Sequence, residues 1–128
     1  MKTVLIIEDD QIILEMYRDK FQVSHFGVIT ALNGEDGLSA ALRHHPDLIL
    51  LDLAMPKMDG MTVMKKLRED SWGNLVPVII LTNLNLDGRM LEEIIKNKPT
   101  YSLMKANTTP EDVLEKAEEI FSKGGGEN

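Results

Sequence analysis

Glu8-Asp9-Asp10, Asp52, Thr82 and Lys105 are the residues of this 128-residue chain whose types suit one piece of chemistry in common. Carboxylates gathered at one place repel one another unless a cation sits among them. Oxygen donors with spare coordination positions suit Mg²⁺, which keeps waters and shares phosphate oxygens. A carboxylate can also attack phosphorus and form an acyl phosphate. Such a transfer depends on positioning and on neutralising the phosphoryl oxygens, for which Lys105 has an ammonium and Thr82 a hydroxyl. Taken singly, each residue has a plainer role. An acid after a strand is often only a helix cap, the reading favoured for Asp10; a lone Asp at a strand end is solvated, Thr82 is an ordinary strand-end residue and Lys105 a surface charge. The functional reading rests on their meeting.

The elements that must bring them together are short apolar runs at residues 4–7, 28–31, 48–51, 76–81 and 101–104. Their near-continuous apolarity is what strands covered on both faces require. Between them, apolar residues recur at helical spacing: Ile13, Met16 and Tyr17; Leu38, Ala41 and Leu42; Val63, Met64 and Leu67; Met90, Leu91, Ile94 and Ile95; Val113, Leu114, Ala117, Ile120 and Phe121. Thr109 before Pro110-Glu111-Asp112 and Asn33 before Gly34-Glu35-Asp36 are helix-start signals. Alternating β and α units predict a parallel sheet with helices on both faces. In such sheets ligands bind at the carboxyl ends of the strands, and the acidic triplet, Asp52, Thr82 and Lys105 all fall at such ends. Residues 1–122 are expected to form one domain and residues 123–128 a flexible tail.

Composition narrows the classes. The formal charge of −7 argues against a nucleic-acid or anionic-membrane surface, which needs clustered Lys and Arg. Without cysteine there is neither a disulfide framework nor a thiolate metal site. No segment reads as a signal peptide or approaches transmembrane length, so a cytoplasmic protein is expected. His25, His44 and His45 read as surface residues, the methionines as core filling, and Trp72 lies in a loop after the third helix with no assigned role.

The residues match a known pattern. Val4-Leu5-Ile6-Ile7-Glu8-Asp9-Asp10 resembles the acidic-pair strand of response regulator receiver domains, the phosphoacceptor modules of two-component signalling. Leu50-Leu51-Asp52-Leu53-Ala54-Met55-Pro56-Lys57-Met58-Asp59-Gly60 resembles their phosphoacceptor motif, and Ile80-Leu81-Thr82-Asn83 and Leu103-Met104-Lys105 their fourth and fifth strand ends. The resemblance covers residues 2–122. It implies a flavodoxin-like (βα)₅ fold with strand order 2-1-3-4-5. It further implies that Asp52 accepts a phosphoryl group from a phosphohistidine on a sensor histidine kinase or histidine phosphotransfer protein. By the same resemblance Asp9, Asp52 and the Ala54 carbonyl ligate Mg²⁺, Glu8 acts through water, and Thr82 and Lys105 contact the phosphoryl oxygens. A downstream protein partner would bind the face formed by the fourth helix, fifth strand and fifth helix. Such a protein catalyses only its own phosphorylation and dephosphorylation.

Some positions depart from the family's habit. Ala106 stands where Pro usually follows the strand-five Lys, and a cis bond costs about 3–4 kcal/mol without proline. Ser102 stands where the family often has a switch aromatic, with Tyr101 beside it; since strand neighbours face opposite ways, either Tyr101 points away from the site or a local insertion restores the register. Ala54 and Leu84, two positions beyond Asp52 and Thr82, cannot orient an attacking water, so slow autodephosphorylation is expected. Leu84, Leu86 and Met90 are expected to stay accessible near Thr82. Lys105→Ala is expected to spare the fold while impairing phosphoryl acceptance. Other classes stay open: a receiver-like interaction module working without phosphorylation; a Mg²⁺-dependent aspartyl phosphatase of the haloacid type, which wants an Asp where this chain has Ala54; and a flavin binder, whose phosphate loop Glu8-Asp9-Asp10 would oppose.

Overall fold

A computed structural model of the chain describes residues 1–55, 57–82 and 88–126. The strands are β1 (Thr3–Ile7), β2 (Gly27–Ala31), β3 (Leu48–Asp52), β4 (Val78–Thr82) and β5 (Tyr101–Met104). They alternate with α1 (Gln11–Val23), α2 (Gly34–His44), α3 (Gly60–Glu69), α4 (Gly88–Lys96) and α5 (Pro110–Gly126), and a short 3₁₀ turn, Lys105–Asn107, follows β5. All neighbours pair in parallel, in the order β2-β1-β3-β4-β5. This is the flavodoxin-like arrangement expected, with helices on both faces.

Successive strand residues point to opposite faces, so each run of β-branched and leucine residues feeds two cores. Leu5, Ile7, Ile49, Leu51 and Ile80 pack with Ala41, Val63, Met64, Leu67 and Ile94 from α2, α3 and α4. Val4, Ile6, Leu48, Leu50, Ile79 and Leu81 pack with Leu14, Tyr17, Phe21, Val113, Leu114 and Ala117 from α1 and α5. Every residue of β3 and β4 is buried. Edge strand β5 departs from the double coverage expected of it: Tyr101 and Leu103 pack on the α1–α5 side, while Ser102 and Met104 are exposed. Three helices also differ from their sequence pattern, α2 by leaving Leu42 exposed. In α1 the buried stripe is Leu14, Tyr17 and Phe21, with Met16 44 % exposed. In α4 only Ile94 is fully inside, with Leu91 and Ile95 outside.

Helix starts follow the side chains available. Asp10 accepts from the N–H groups of Ile12 and Ile13, Asn33 from Asp36 and Asp59 from Thr62. Thr109 and Asp112 bond reciprocally, the Thr109 hydroxyl accepting from the Asp112 N–H and the Asp112 carboxylate from the Thr109 N–H. Helix α5 continues to Gly126, into the segment read from sequence as tail.

The guanidinium of Arg68 fixes the far end of the sheet. It donates to the carbonyls of Gly73, Val76, Asn97 and Lys98 at 2.7–2.9 Å, joining the stretch before β4 to the one before β5. Nearby, the His45 and Trp72 rings stack 4.3 Å apart and 5° from parallel.

Candidate functional site

Parallel strands of this order end on one rim, and four of them deliver the candidate residues there. Asp52 closes β3 and Thr82 closes β4; Glu8 and Asp9 follow β1, and Lys105 follows β5. The register sets Asp52 against Leu81 and Thr82 against Met104, so the ends are level to within a residue. Glu8 is drawn in by its own N–H, which bonds the Ala31 carbonyl at the end of β2. Asp10 turns away to cap α1, as favoured from sequence.

Side chains then converge. Glu8, Asp9 and Asp52 each offer a carboxylate oxygen within 4.8 Å of the others. The Lys105 ammonium lies 2.5 Å from Glu8 Oε1 and 3.4 Å from Asp52 Oδ2. The second Glu8 oxygen accepts from the Asp10 N–H at 3.2 Å, and Asp52 Oδ1 from the Ala54 N–H at 3.4 Å. Glu8, Asp52 and Thr82 are buried, whereas Asp9 and Ala54 face solvent. Beside them opens a cavity of about 430 Å³ lined by Asp9, Leu53, Ala54, Met55, Asp59, Met61 and Met90.

This crowding shifts protonation. Burial pushes Glu8 up to about 7, against the pull of the Lys105 hydrogen bond and the Asp10 N–H, and the Asp52 charge adds to the rise. Burial likewise raises Asp52, opposed chiefly by the Lys105 charge. Burial alone would lower Lys105, but its Glu8 hydrogen bond and the charges of Asp52 and Glu8 outweigh that and hold it above the usual lysine range. Hard oxygen donors around a solvent-open edge are the donor set a small divalent cation takes, and one Lys cannot neutralise all the carboxylates. The residues present therefore fit Mg²⁺.

The structure brings together Glu8, Asp9, Asp52 and Lys105, nominated from sequence, with one adjustment. Lys105 was read as an exposed-edge residue, but its side chain is only 13 % exposed and wedged between two buried carboxylates. Tyr101 turns to the α5 side, its hydroxyl donating to Glu119 at 2.9 Å beneath the Lys116 ammonium, so no aromatic from β5 faces the Thr82 side. No cis peptide bond occurs among the described residues, the Lys105–Ala106 bond included. Pro56, Leu84 and Leu86 lie outside the described residues. Sequence reasoning passed over Asp59 and Met61 as cavity walls; the adjacent Asp-Gly, a helix start beside the acceptor loop, was the available signal.

A parallel (βα)₅ sheet with an acidic, lysine-bridged rim defines a class, and comparison with known proteins agrees. Residues 4–118 match the response regulator receiver domain model, and the chain belongs to that family of two-component signalling modules. Among curated relatives, the polar-differentiation response regulator DivK of Brucella ovis is 36 % identical over 87 residues, 68 % of this chain and 71 % of that protein. The chemotaxis response regulator CheY4 of Vibrio cholerae superposes with a TM-score of 0.84 at 28 % identity, covering 94 % of this chain and 98 % of that one. A CheY-like receiver domain protein of Methanospirillum hungatei JF-1 reaches a TM-score of 0.90 at 23 % identity over 100 % and 99 % of the two chains, a likeness of fold. Among the described residues, no helix is long and apolar enough to cross a membrane.

Proposed function

We propose that the chain is a phosphoacceptor: Asp52 takes a phosphoryl group from a histidine phosphodonor and the protein thereby switches a binding face. The carrying observation is the buried Asp52 carboxylate held 3.4 Å from the Lys105 ammonium within a cluster of further acids. In the step, an Asp52 oxygen bonds to phosphorus as the bond from phosphorus to the donor's imidazole nitrogen breaks. The electron pair leaves with the imidazole, which takes up a proton. Lys105 favours the ionised form of Asp52, orients it and offers charge to the phosphoryl oxygens; Thr82 offers a hydroxyl. Asp9, Asp52 and the Ala54 carbonyl would hold Mg²⁺, with Glu8 acting through water. When bound, Mg²⁺ supplies neutralisation of phosphoryl charge. Ala54 has no side-chain group to orient an attacking water, which supports a long-lived acyl phosphate.

The donor would be a sensor histidine kinase or histidine phosphotransfer protein. A downstream protein would bind the α4-β5-α5 face, where Leu91, Ile95 and Met104 are 44 %, 70 % and 47 % exposed. The protein would act as a regulator in the cytoplasm and turn over no other substrate. Mass spectrometry after incubation with acetyl phosphate and Mg²⁺ tests the reading. One phosphoryl group is expected on the wild type and none on Asp52→Asn. An unmodified wild type, or a modified Asp52→Asn, would leave a module acting by contact alone or a different acceptor.

A further inference from the structure

In the connection from β3 to α3, described at residues 53–55 and 57–59, Leu53, Ala54, Met55 and Asp59 wall the cavity beside Asp9. This loop leans on α2. A Cβ built on Gly34, the first residue of α2, would lie 1.9 Å from the Met58 carbonyl oxygen and 2.8 Å from its carbon. No rotamer relieves a clash with backbone, so any side chain at position 34 forces the loop or the helix to move. The helix is held firmly at this contact. Asn33 caps its first turn through the Asp36 N–H at 2.8 Å. One turn on, Gly37 seats against Ile7 so closely that a Cβ would fall 2.5 Å from Ile7 Cδ1. On the loop side, Ala54, Lys57 and Asp59 are exposed, and Lys57 has a φ of 68°. Ile7 directly precedes Glu8 and Asp9. The start of α2 is thus wedged between the strand end that carries two acids and the loop that carries Ala54.

We propose that Gly34 is a positioning residue for the cation site: its missing side chain lets α2 hold Met58, and with it the loop, close enough to Asp9 for the Ala54 carbonyl and the carboxylates to share one cation. The inference rests on the reading of the acidic cluster as a Mg²⁺ site. It assigns the glycine of the Asn33-Gly34 helix start a part in binding that its place in the cap does not reveal.

Gly34→Ala in the full chain is compared with Gly73→Ala. The second is a matched control: its Cβ would also strike a backbone carbonyl, Leu67 O at 2.3 Å, but in the stretch between α3 and β4 at the other end of the sheet. Amide resonances are followed without metal and through a Mg²⁺ titration. Gly34→Ala is expected to displace the resonances of residues 53–59 in metal-free protein and to weaken Mg²⁺ about tenfold, the scale on which supporting shells of metal ligands act. Gly73→Ala is expected to leave both near wild type. Should Gly34→Ala not fold, Asn33→Ala loosens the same turn and is expected to weaken Mg²⁺ measurably with the same loop shifts. Unmoved loop resonances and wild-type affinity in the folded variant overturn the proposal, as does equal weakening by Gly73→Ala. A wild type that binds no Mg²⁺ overturns the cation reading instead, and the metal-free loop shifts still decide whether Gly34 positions the loop.

Discussion

Glu8 is 3 % exposed, between an ammonium and a second carboxylate, and that position makes stability depend on pH. Its folded-state pKa of about 7 stands above the ordinary 4.5, so the folded chain retains a proton that the unfolded chain releases. That contribution is fully present below the unfolded pKa and is lost as pH rises from about 4.5 through about 7. Asp52 is shifted in the same direction. In chelator, the metal-free protein is expected to lose stability across that window, and Glu8→Gln to flatten the loss. Urea unfolding followed by circular dichroism at several pH values measures it, and an unaltered slope in Glu8→Gln counts against the assignment. Lys105 belongs to the same account. With its ammonium gone, Glu8 and Asp52 face each other uncompensated, so Lys105→Ala is expected to destabilise the metal-free fold by roughly 3 kcal/mol near neutral pH. The cost shrinks in acid as the carboxylates protonate; equal cost across the range would mean lost packing and not lost charge. The acids, the threonine and the lysine were legible in the sequence because residue type and strand-end position suffice to nominate them. The Glu8–Lys105 contact was not, since it joins residues 97 apart through side-chain reach that no pattern encodes.

Among the elements, α1 shows where pattern and structure part. Asp10 is the cap favoured from sequence, its carboxylate spent on the N–H groups of Ile12 and Ile13, while the buried face of the helix departs from its apolar spacing. Asp10→Ala is therefore expected to cost about 1 kcal/mol of stability while leaving Mg²⁺ affinity unchanged. Thermal unfolding and a metal titration on one sample separate the two effects, and a large affinity loss would return Asp10 to the site. The buried stripe of α1 lies a residue away from the one its apolar spacing suggested, because Leu14 and Phe21 reach the sheet and Met16 does not. Apolar residues filled more of the helix than its contact face needed, so spacing alone could not choose the face. The same excess in α4 leaves Leu91 and Ile95 outside. In β5, an apolar run that resembles the central strands sits at the sheet edge, since periodicity carries no information on strand order.

For the molecule as a whole, the two rims of the sheet have different work. The rim where strands end gathers the charged site, and the rim where they begin is tied down by Arg68. Helix α4 runs from the first rim to the second, so a disturbance at Thr82 meets its first turn before the end that Arg68 holds. Beryllofluoride is accordingly expected to shift amide resonances of residues 88–104 more than those of residues 38–44 in α2. Equal shifts in both, or none beyond the immediate surroundings of Asp52, would make the protein a carrier of phosphate without a switched face. The rims also decide what light can report. Trp72, the chain's one indole, stacks on His45 just ahead of β4, and a strand of five residues separates it from the acids by roughly 15 Å. Its fluorescence will follow global unfolding and remain blind to cation or phosphoryl group, so an optical probe of the chemistry has to be introduced by mutation near the other rim.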